Sequence, residues 1–228
     1  STGLVGREII RLLEERPEVE FTALVRKTGR LRAISGRVQE VLFDYEDPAS
    51  YERLGTEIPC DVLLCALGTT LKAAGSPEAF QRVDRDYPVA LMNRLAKLDP
   101  RPVFGVVSSV GAAKPKGLYL RTKAEMERAL LDSGLPFVVV RPSLLLGRRR
   151  EYRLAERLAA LLLAKPYLYL ARALAPRSRL VWRYAPIEAA LVARALVRTC
   201  VDDPPGVAGS RVLQGLSLHH PILDLGLG

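Results

Sequence analysis

The apolar run Val103–Val107, followed at once by Ser108-Ser109, constrains the fold more than any other stretch of the chain. Such a short, continuously apolar run reads as a strand buried on both faces, the kind found where helices cover both sides of a parallel sheet. The chain then crosses a Gly/Pro/Lys loop and enters Tyr119-Leu120-Arg121-Thr122-Lys123. A Tyr and a Lys four residues apart share one face of a helix, about a turn from each other. A buried strand that delivers a hydroxyl at its carboxyl end puts it where open α/β sheets bind their ligands. Ser108, Ser109, Tyr119 and Lys123 are therefore candidate chemical groups, suited to moving a proton at a carbonyl or an alcohol.

Other segments repeat the strand-then-helix pattern. Glu20–Val25, Val38–Phe43, Asp61–Leu67, Leu135–Val140 and Arg211–Leu213 read as strands. Helical spacing follows Gly6 up to Pro17, covers Ala79–Leu98 and the stretch past Lys123 to Asp132, and returns over Pro186–Val201. Tyr51–Ile58 reads as a short helix or loop, Ser143–Gly147 as a loop, Arg148–Ala173 as an amphipathic helix broken at Lys165-Pro166, and Leu180–Tyr184 as a short extended piece. Pro88 falls inside a helical pattern, where it must kink or break the helix. Alternating strands and helices make βαβ units with right-handed crossovers. The expected fold is an α/β, Rossmann-type doubly wound parallel sheet with helices on both faces. One domain is expected over residues 1–228, with 143–185 forming a small C-terminal lobe on the substrate side.

Two loops carry the signal for a ligand. Thr2-Gly3-Leu4-Val5-Gly6 opens a helix with glycines three apart, a loop through which backbone N–H groups can approach a pyrophosphate at the positive end of the helix dipole. A loop of this kind follows a strand, so a strand and a leading glycine are expected ahead of Ser1. About 20 residues on, where such a unit meets the adenosine ribose, the chain carries Arg26-Lys27 in place of an acid. Cations suit a 2′-phosphate, which favours NADP(H), with NAD(H) as the alternative. A further glycine, Gly68, ends the Asp61–Leu67 strand, where a ligand approaches the backbone closely.

Composition narrows the classes. Cys60, Cys65 and Cys200 are odd in number and scattered, which argues against a disulfide framework or a zinc site and for a reducing cytoplasm. No metal site is expected. The apolar stretch Leu154–Leu174 is interrupted by Lys165-Pro166 and Arg172 and makes a poor membrane span. The net charge of +9 is concentrated between Arg148 and Arg183, where ten basic residues face Glu151 and Glu156. That segment suits a phosphate-rich ligand, an anionic membrane surface or nucleic acid; a merely solvated helical face is the alternative. No aromatic-interleaved motif points to nucleic acid. A small-molecule substrate and a monomer or homodimer complete the expectation.

With these residues laid out, the chain resembles the atypical branch of the short-chain dehydrogenase/reductase superfamily, in particular the Tat-interacting-protein-like oxidoreductases. The matching pieces are TGLVG at 2–6, LVRK at 24–27, LGTT at 67–70, FQRVDRDYP at 80–88, SSVGA at 108–112, YLRTKAEME at 119–127, RPSLLLG at 141–147 and LDLG at 223–226. The resemblance implies an NADPH-dependent oxidoreductase working by Ser-Tyr-Lys chemistry, or a dinucleotide-bound regulatory protein with little catalysis. It implies that Thr2–Gly6 hold the pyrophosphate and that Arg26 and Lys27 take the 2′-phosphate. Asp44 then lies near the adenine, and Leu67, Gly68 and Thr69 line the ribose side. Pro142, Ser143 and Leu144 approach the nicotinamide. Ser109, preferred over Ser108 by motif position, joins Tyr119 and Lys123 as the catalytic group. A free tyrosine titrates near ~10 and is a poor base at neutral pH; a nearby ammonium favours its phenolate. Asp84 departs from the pattern, since related enzymes often carry Asn there.

Overall fold

The computed structural model describes residues 2–31, 33–143, 145–146, 187–206 and 209–214. The central run forms β4 (Val103–Val107), every residue of which is buried. It lies between β3 (Val62–Cys65) and β5 (Phe137–Arg141), and β8 (Ser210–Gln214) extends the sheet beyond β5. All three pairings are parallel, with Phe104 opposite Phe137 and Val138 opposite Arg211. β1 (Thr22–Val25) and β2 (Gln39–Leu42) form a separate parallel pair.

Strand alternation divides the core into two layers. Val103 and Val107 of β4 and Val138 and Val140 of β5 face α1 (Leu4–Glu14) and α7 (Ala189–Val197), with Val5, Ile9, Val192 and Leu196 in contact. Phe104, Val106, Phe137 and Val139 point the other way, against α5 (Tyr87–Leu95) and α6 (Gly117–Asp132) through Leu91, Met92, Leu95, Met126 and Leu130. The doubly wound sheet with helices on both faces is what the sequence pattern predicts. Gly105 faces the α7 layer, where a Cβ would stand 2.6 Å from Cys200 Sγ and 2.9 Å from Leu64 Cδ2. The glycine thus admits a π-helical turn, Arg198–Asp202, that continues α7.

Several boundaries differ from the sequence reading. α2 (Pro48–Glu52) precedes the expected helix or loop at 51–58 and is capped by Asp47, which accepts from Ala49 N–H. Ala79–Leu98 is not one helix. It comprises α4 (Pro77–Gln81), a π-helical turn (Arg82–Asp86) and α5, with a short α3 (Leu71–Ala74) before them. Pro88 is the cause: without an N–H it cannot bond the carbonyl of Asp84, and the register slips by one residue. The buried stripe therefore includes Phe80, Asp84, Pro88 and Met92, with an acid among apolar groups. The loop expected at 143–147 contains β6 (Leu145–Leu146), which pairs with β7 (Ile187–Glu188). β7 takes two residues expected to belong to the helix that begins at Pro186; the helix starts at Ala189. The expected helix at 148–173, the extended piece at 180–184, most of the 143–185 lobe and LDLG at 223–226 lie outside the described residues.

Candidate functional site

The carboxyl ends of β3 and β4 and the start of α1 supply most of the residues singled out in the sequence. At α1 the N-cap is Gly3, in extended backbone (φ −74°, ψ 177°), with no side-chain cap and no acid in the first turn. Its first N–H groups are thus left to an outside partner, and the positive helix end is not neutralised locally. Thr2 and Gly3 are exposed, Leu4 is half-buried, and Val5 and Gly6 are buried beneath them.

Past β1, Arg26 and Lys27 are exposed and form no ion pair among the described residues. The charge of Arg26 reaches the hydroxyls of Tyr45 and Tyr87, whose rings stack with centroids 5.2 Å apart. The same loop is pinned from below by Glu40, whose carboxylate accepts from the N–H groups of Gly29 and Leu31. Nothing in the local sequence marked Glu40 for that role, because the contact crosses from one strand to the loop of its neighbour. Asp44 is exposed, and its Oδ1 already accepts from Glu46 N–H at 2.9 Å.

The ends of β3 and α6 are joined through Asp84. Its Oδ1 lies 2.8 Å from Lys123 Nζ, and the two side chains are 1% and 5% exposed. Its Oδ2 accepts from Thr69 N–H at 2.8 Å. Gly68 lies beside the carboxylate: a Cβ there would stand 3.4 Å from Oδ1, in ordinary contact. Leu67 is half-buried beside them. Nearby, burial pushes the Cys65 thiol up from its ordinary range. One turn before Lys123, Tyr119 is 40% exposed, its ring tilted against Phe80 at 5.8 Å.

The two serines at the end of β4 differ. Ser108 is 3% exposed, and its Oγ has no hydrogen-bond partner among the described residues. Ser109 is half-buried, and its Oγ donates to Val110 O at 3.3 Å. Val110 N–H in turn donates to Pro142 O at 2.9 Å, which ties the β4 loop to the β5 end. Pro142 is buried and Ser143 half-buried; Leu144 lies outside the described residues. Among the described residues, no hydrogen bond joins Ser108, Ser109, Tyr119 and Lys123 to one another; Lys123 is held by Asp84. The sequence placed an acid at position 84 but gave no sign of its partner.

A dinucleotide fits these residues on two counts. The α1 N-terminus offers uncapped N–H groups of the kind that bind phosphates. The orphaned Ser108 hydroxyl is a buried polar group of the kind that is normally satisfied, and its place at a strand's carboxyl end suits a ligand partner. Among the described residues no cluster of His, Cys, Asp or Glu is arranged to hold a metal ion.

Comparison with known proteins agrees. The profile of a family described as NAD(P)H-binding matches residues 1–160. A protein of Candida albicans named "Protein FMP52, mitochondrial" is 34% identical over 158 residues, covering 66% of this chain and 67% of that protein. The chain thus spans about two thirds of the length of the curated relatives it matches. Among solved structures, an oxidoreductase of the short-chain dehydrogenase/reductase family from Burkholderia thailandensis has a TM-score of 0.62 at 19% identity, covering 94% of this chain and 88% of that one. The Bordetella bronchiseptica enzyme WbmH in complex with NAD+ has a TM-score of 0.63 at 17% identity, covering 92% and 71%. The relatives correct one expectation. They are named mitochondrial, against the cytoplasm expected from the scattered cysteines. Free thiols report a reducing environment, and that environment is not confined to the cytoplasm.

Proposed function

The chain belongs to the NAD(P)H-binding family, and from that membership and the geometry of the strand ends we propose that it is an NADPH-dependent oxidoreductase of the atypical short-chain type, acting on a small carbonyl or alcohol. The observation that carries the reading is the Lys123 ammonium, buried at the strand ends on the helix turn that follows an exposed Tyr119. A buried ammonium is costly and persists where a specific partner compensates it.

In this reading the first turn of α1, from Thr2 to Gly6, holds the pyrophosphate. Arg26 and Lys27 hold a 2′-phosphate, and Asp44, Leu67, Gly68 and Thr69 border the adenosine half. Pro142, Ser143 and Leu144 border the nicotinamide. A nicotinamide bound there would supply or accept hydride. Tyr119 exchanges a proton with the substrate oxygen, help of a kind that contributes about 10²–10⁴-fold. Ser109 or Ser108 donates to that oxygen as charge grows on it. Ser108, whose Oγ lacks a partner among the described residues, donates without first breaking a bond to one of them. Lys123 steadies the ribose and the phenol.

We take the chain as one domain, with 143–185 adding a lobe on the substrate side. β1 hydrogen-bonds to β2 alone and β3 to β4 alone among the described strands, which supports a strand between β1 and β3, ahead of Ser1. The relatives' names support a mitochondrial address, and the free Cys60, Cys65 and Cys200 accord with a reducing compartment there.

One observation favours a second reading, a dinucleotide-bound regulatory protein: Lys123 is engaged by Asp84 and by no other described group. Tyr119→Phe separates the two. The enzyme reading expects NADPH affinity, read by fluorescence, to stay within about twofold while turnover on a carbonyl panel disappears. Turnover that persists unchanged in this variant removes Tyr119 from the chemistry, and no turnover by the parent on any panel member favours the regulatory reading.

A further inference from the structure

Asp84 is a buried charged group at the strand ends that the proposed chemistry leaves unused. The π-helical turn before Pro88 directs its side chain inward, where it is 1% exposed. One oxygen meets Lys123 of α6 and the other meets the Thr69 N–H at the mouth of β3, each at 2.8 Å. The carboxylate therefore fixes the ammonium to the loop expected to border the ribose, and it also neutralises the ammonium.

That second effect matters because of what else faces Lys123. Cys65 approaches from β3, and burial keeps its thiol protonated. On α6, Tyr119 precedes Lys123 by one turn and Glu127 follows it by one, but Glu127 is paired with Arg141 of β5. Arg85 of the π-helical turn is balanced by Asp86 and by Glu125 of α6. Against Tyr119 lies the uncharged ring of Phe80. With these groups balanced or neutral, the charge that Tyr119 meets from this cluster depends on whether Asp84 cancels Lys123. A bare cation draws a phenol toward its phenolate, and a neutral ion pair does not.

We propose that Asp84 is a positioning residue that cancels the charge of Lys123 and so sets the site for reduction, with Tyr119 giving a proton rather than taking one. This rests on the oxidoreductase reading above. In the reducing direction the carbonyl carbon receives hydride from the reduced nicotinamide. The C=O π electrons move to oxygen, which takes the proton of the Tyr119 hydroxyl. The products are an alcohol and an oxidised nicotinamide, and water returns the proton to Tyr119.

The test is made on the full chain without cofactor. Ionisation of Tyr119 is read as the phenolate absorbance of a protein minus that of its Tyr119→Phe counterpart during alkaline titration. Asp84→Asn keeps the size and one accepting oxygen but removes the charge. Measured with Lys123→Arg in the same chain and against Lys123→Arg alone, so that the cation survives alkaline pH, it is expected to lower the Tyr119 midpoint, and Lys123→Met in place of Lys123→Arg is expected to reverse that shift. An unmoved midpoint, or a shift that survives Lys123→Met, overturns the proposal. Where Asp84→Asn does not fold, Lys123→Met alone decides: it leaves the carboxylate uncompensated and is expected to raise the midpoint, and no change overturns the proposal. Turnover judges the underlying reading separately. Loss of turnover in Tyr119→Phe with an unmoved Asp84→Asn midpoint sinks only this inference; unchanged turnover in Tyr119→Phe sinks the reading, and the claim about direction with it.

Discussion

Replacing Asp84 by alanine tests the most deeply buried ion pair among the described residues. The substitution leaves the Lys123 ammonium, 5% exposed and bonded to no other described group, without compensation inside the protein. Stranding one member of a buried ion pair costs about 3–5 kcal/mol. That is a large share of the roughly 5–15 kcal/mol that stabilises a folded domain. In a chain of this size each kcal/mol moves the melting temperature by about 2–4 °C, so a loss of about 6–20 °C is expected. Adding Lys123→Met removes the stranded charge. Replacing a buried pair by apolar groups is often close to neutral, so the double variant is expected within about 2 kcal/mol of the parent. The sign of the pH effect is also fixed. In Asp84→Ala the folded chain binds the Lys123 proton less well than the unfolded chain does, so stability rises with pH. Urea denaturation at several pH values, with m constant across variants, provides the measurement. The reasoning fails if Asp84→Ala lies within 1 kcal/mol of the parent (~a fivefold change in the folding equilibrium), or if the double variant is as unstable as the sum of the two single changes.

Three more expectations are open to measurement. Arg26→Ala, tested by equilibrium binding, should weaken NADPH by roughly tenfold or more, the loss of one charge-assisted hydrogen bond, and leave NADH nearly unchanged; equal loss for both removes Arg26 from the 2′-phosphate. Gly105→Ala sets a methyl 2.6 Å from Cys200 Sγ, an overpacking that costs about 1–3 kcal/mol less the ~0.4–1 kcal/mol gained by stiffening the unfolded chain; pairing it with Cys200→Ala in a double-mutant cycle should show positive coupling, and additivity would refute the contact. Burial pushes the thiols of Cys60 and Cys200 from 9.0 to about 12, and burial, with Glu46 in the case of Tyr87, pushes Tyr51 and Tyr87 from 10.0 to about 12. Raised folded values mean stability that is complete below pH 9 and lost as pH climbs toward 12, and a denaturation midpoint flat through pH 11 would contradict it.

The parallel core was legible because it rests on short-range pattern. β4 and β5 are written as unbroken apolar runs, and their ends are marked by Ser108-Ser109 and by Arg141-Pro142. The helix carrying Tyr119 and Lys123 and its stop beside Gly134 were readable for the same reason. The break at Pro88 was readable too, but its form was not: a missing N–H can bend a helix, end it or slip its register. The slip turns Asp84 into the core, where a carboxylate is not expected from its residue type. β6 and β7 were missed because two residues in each strand carry too little pattern to see.

The sequence by itself determined the α/β order of elements, the glycine-opened helix, the basic turn at Arg26-Lys27 and the residue types available at the strand ends, since each depends on neighbours along the chain. Only the tertiary structure decided which partners those residues take. Lys123 could have faced Tyr119 on its own helix, yet its ammonium lies against a carboxylate brought in by a different element and held there by Thr69. A buried charge takes the compensating group that the packing of the elements brings within reach, and helical spacing alone does not record that choice.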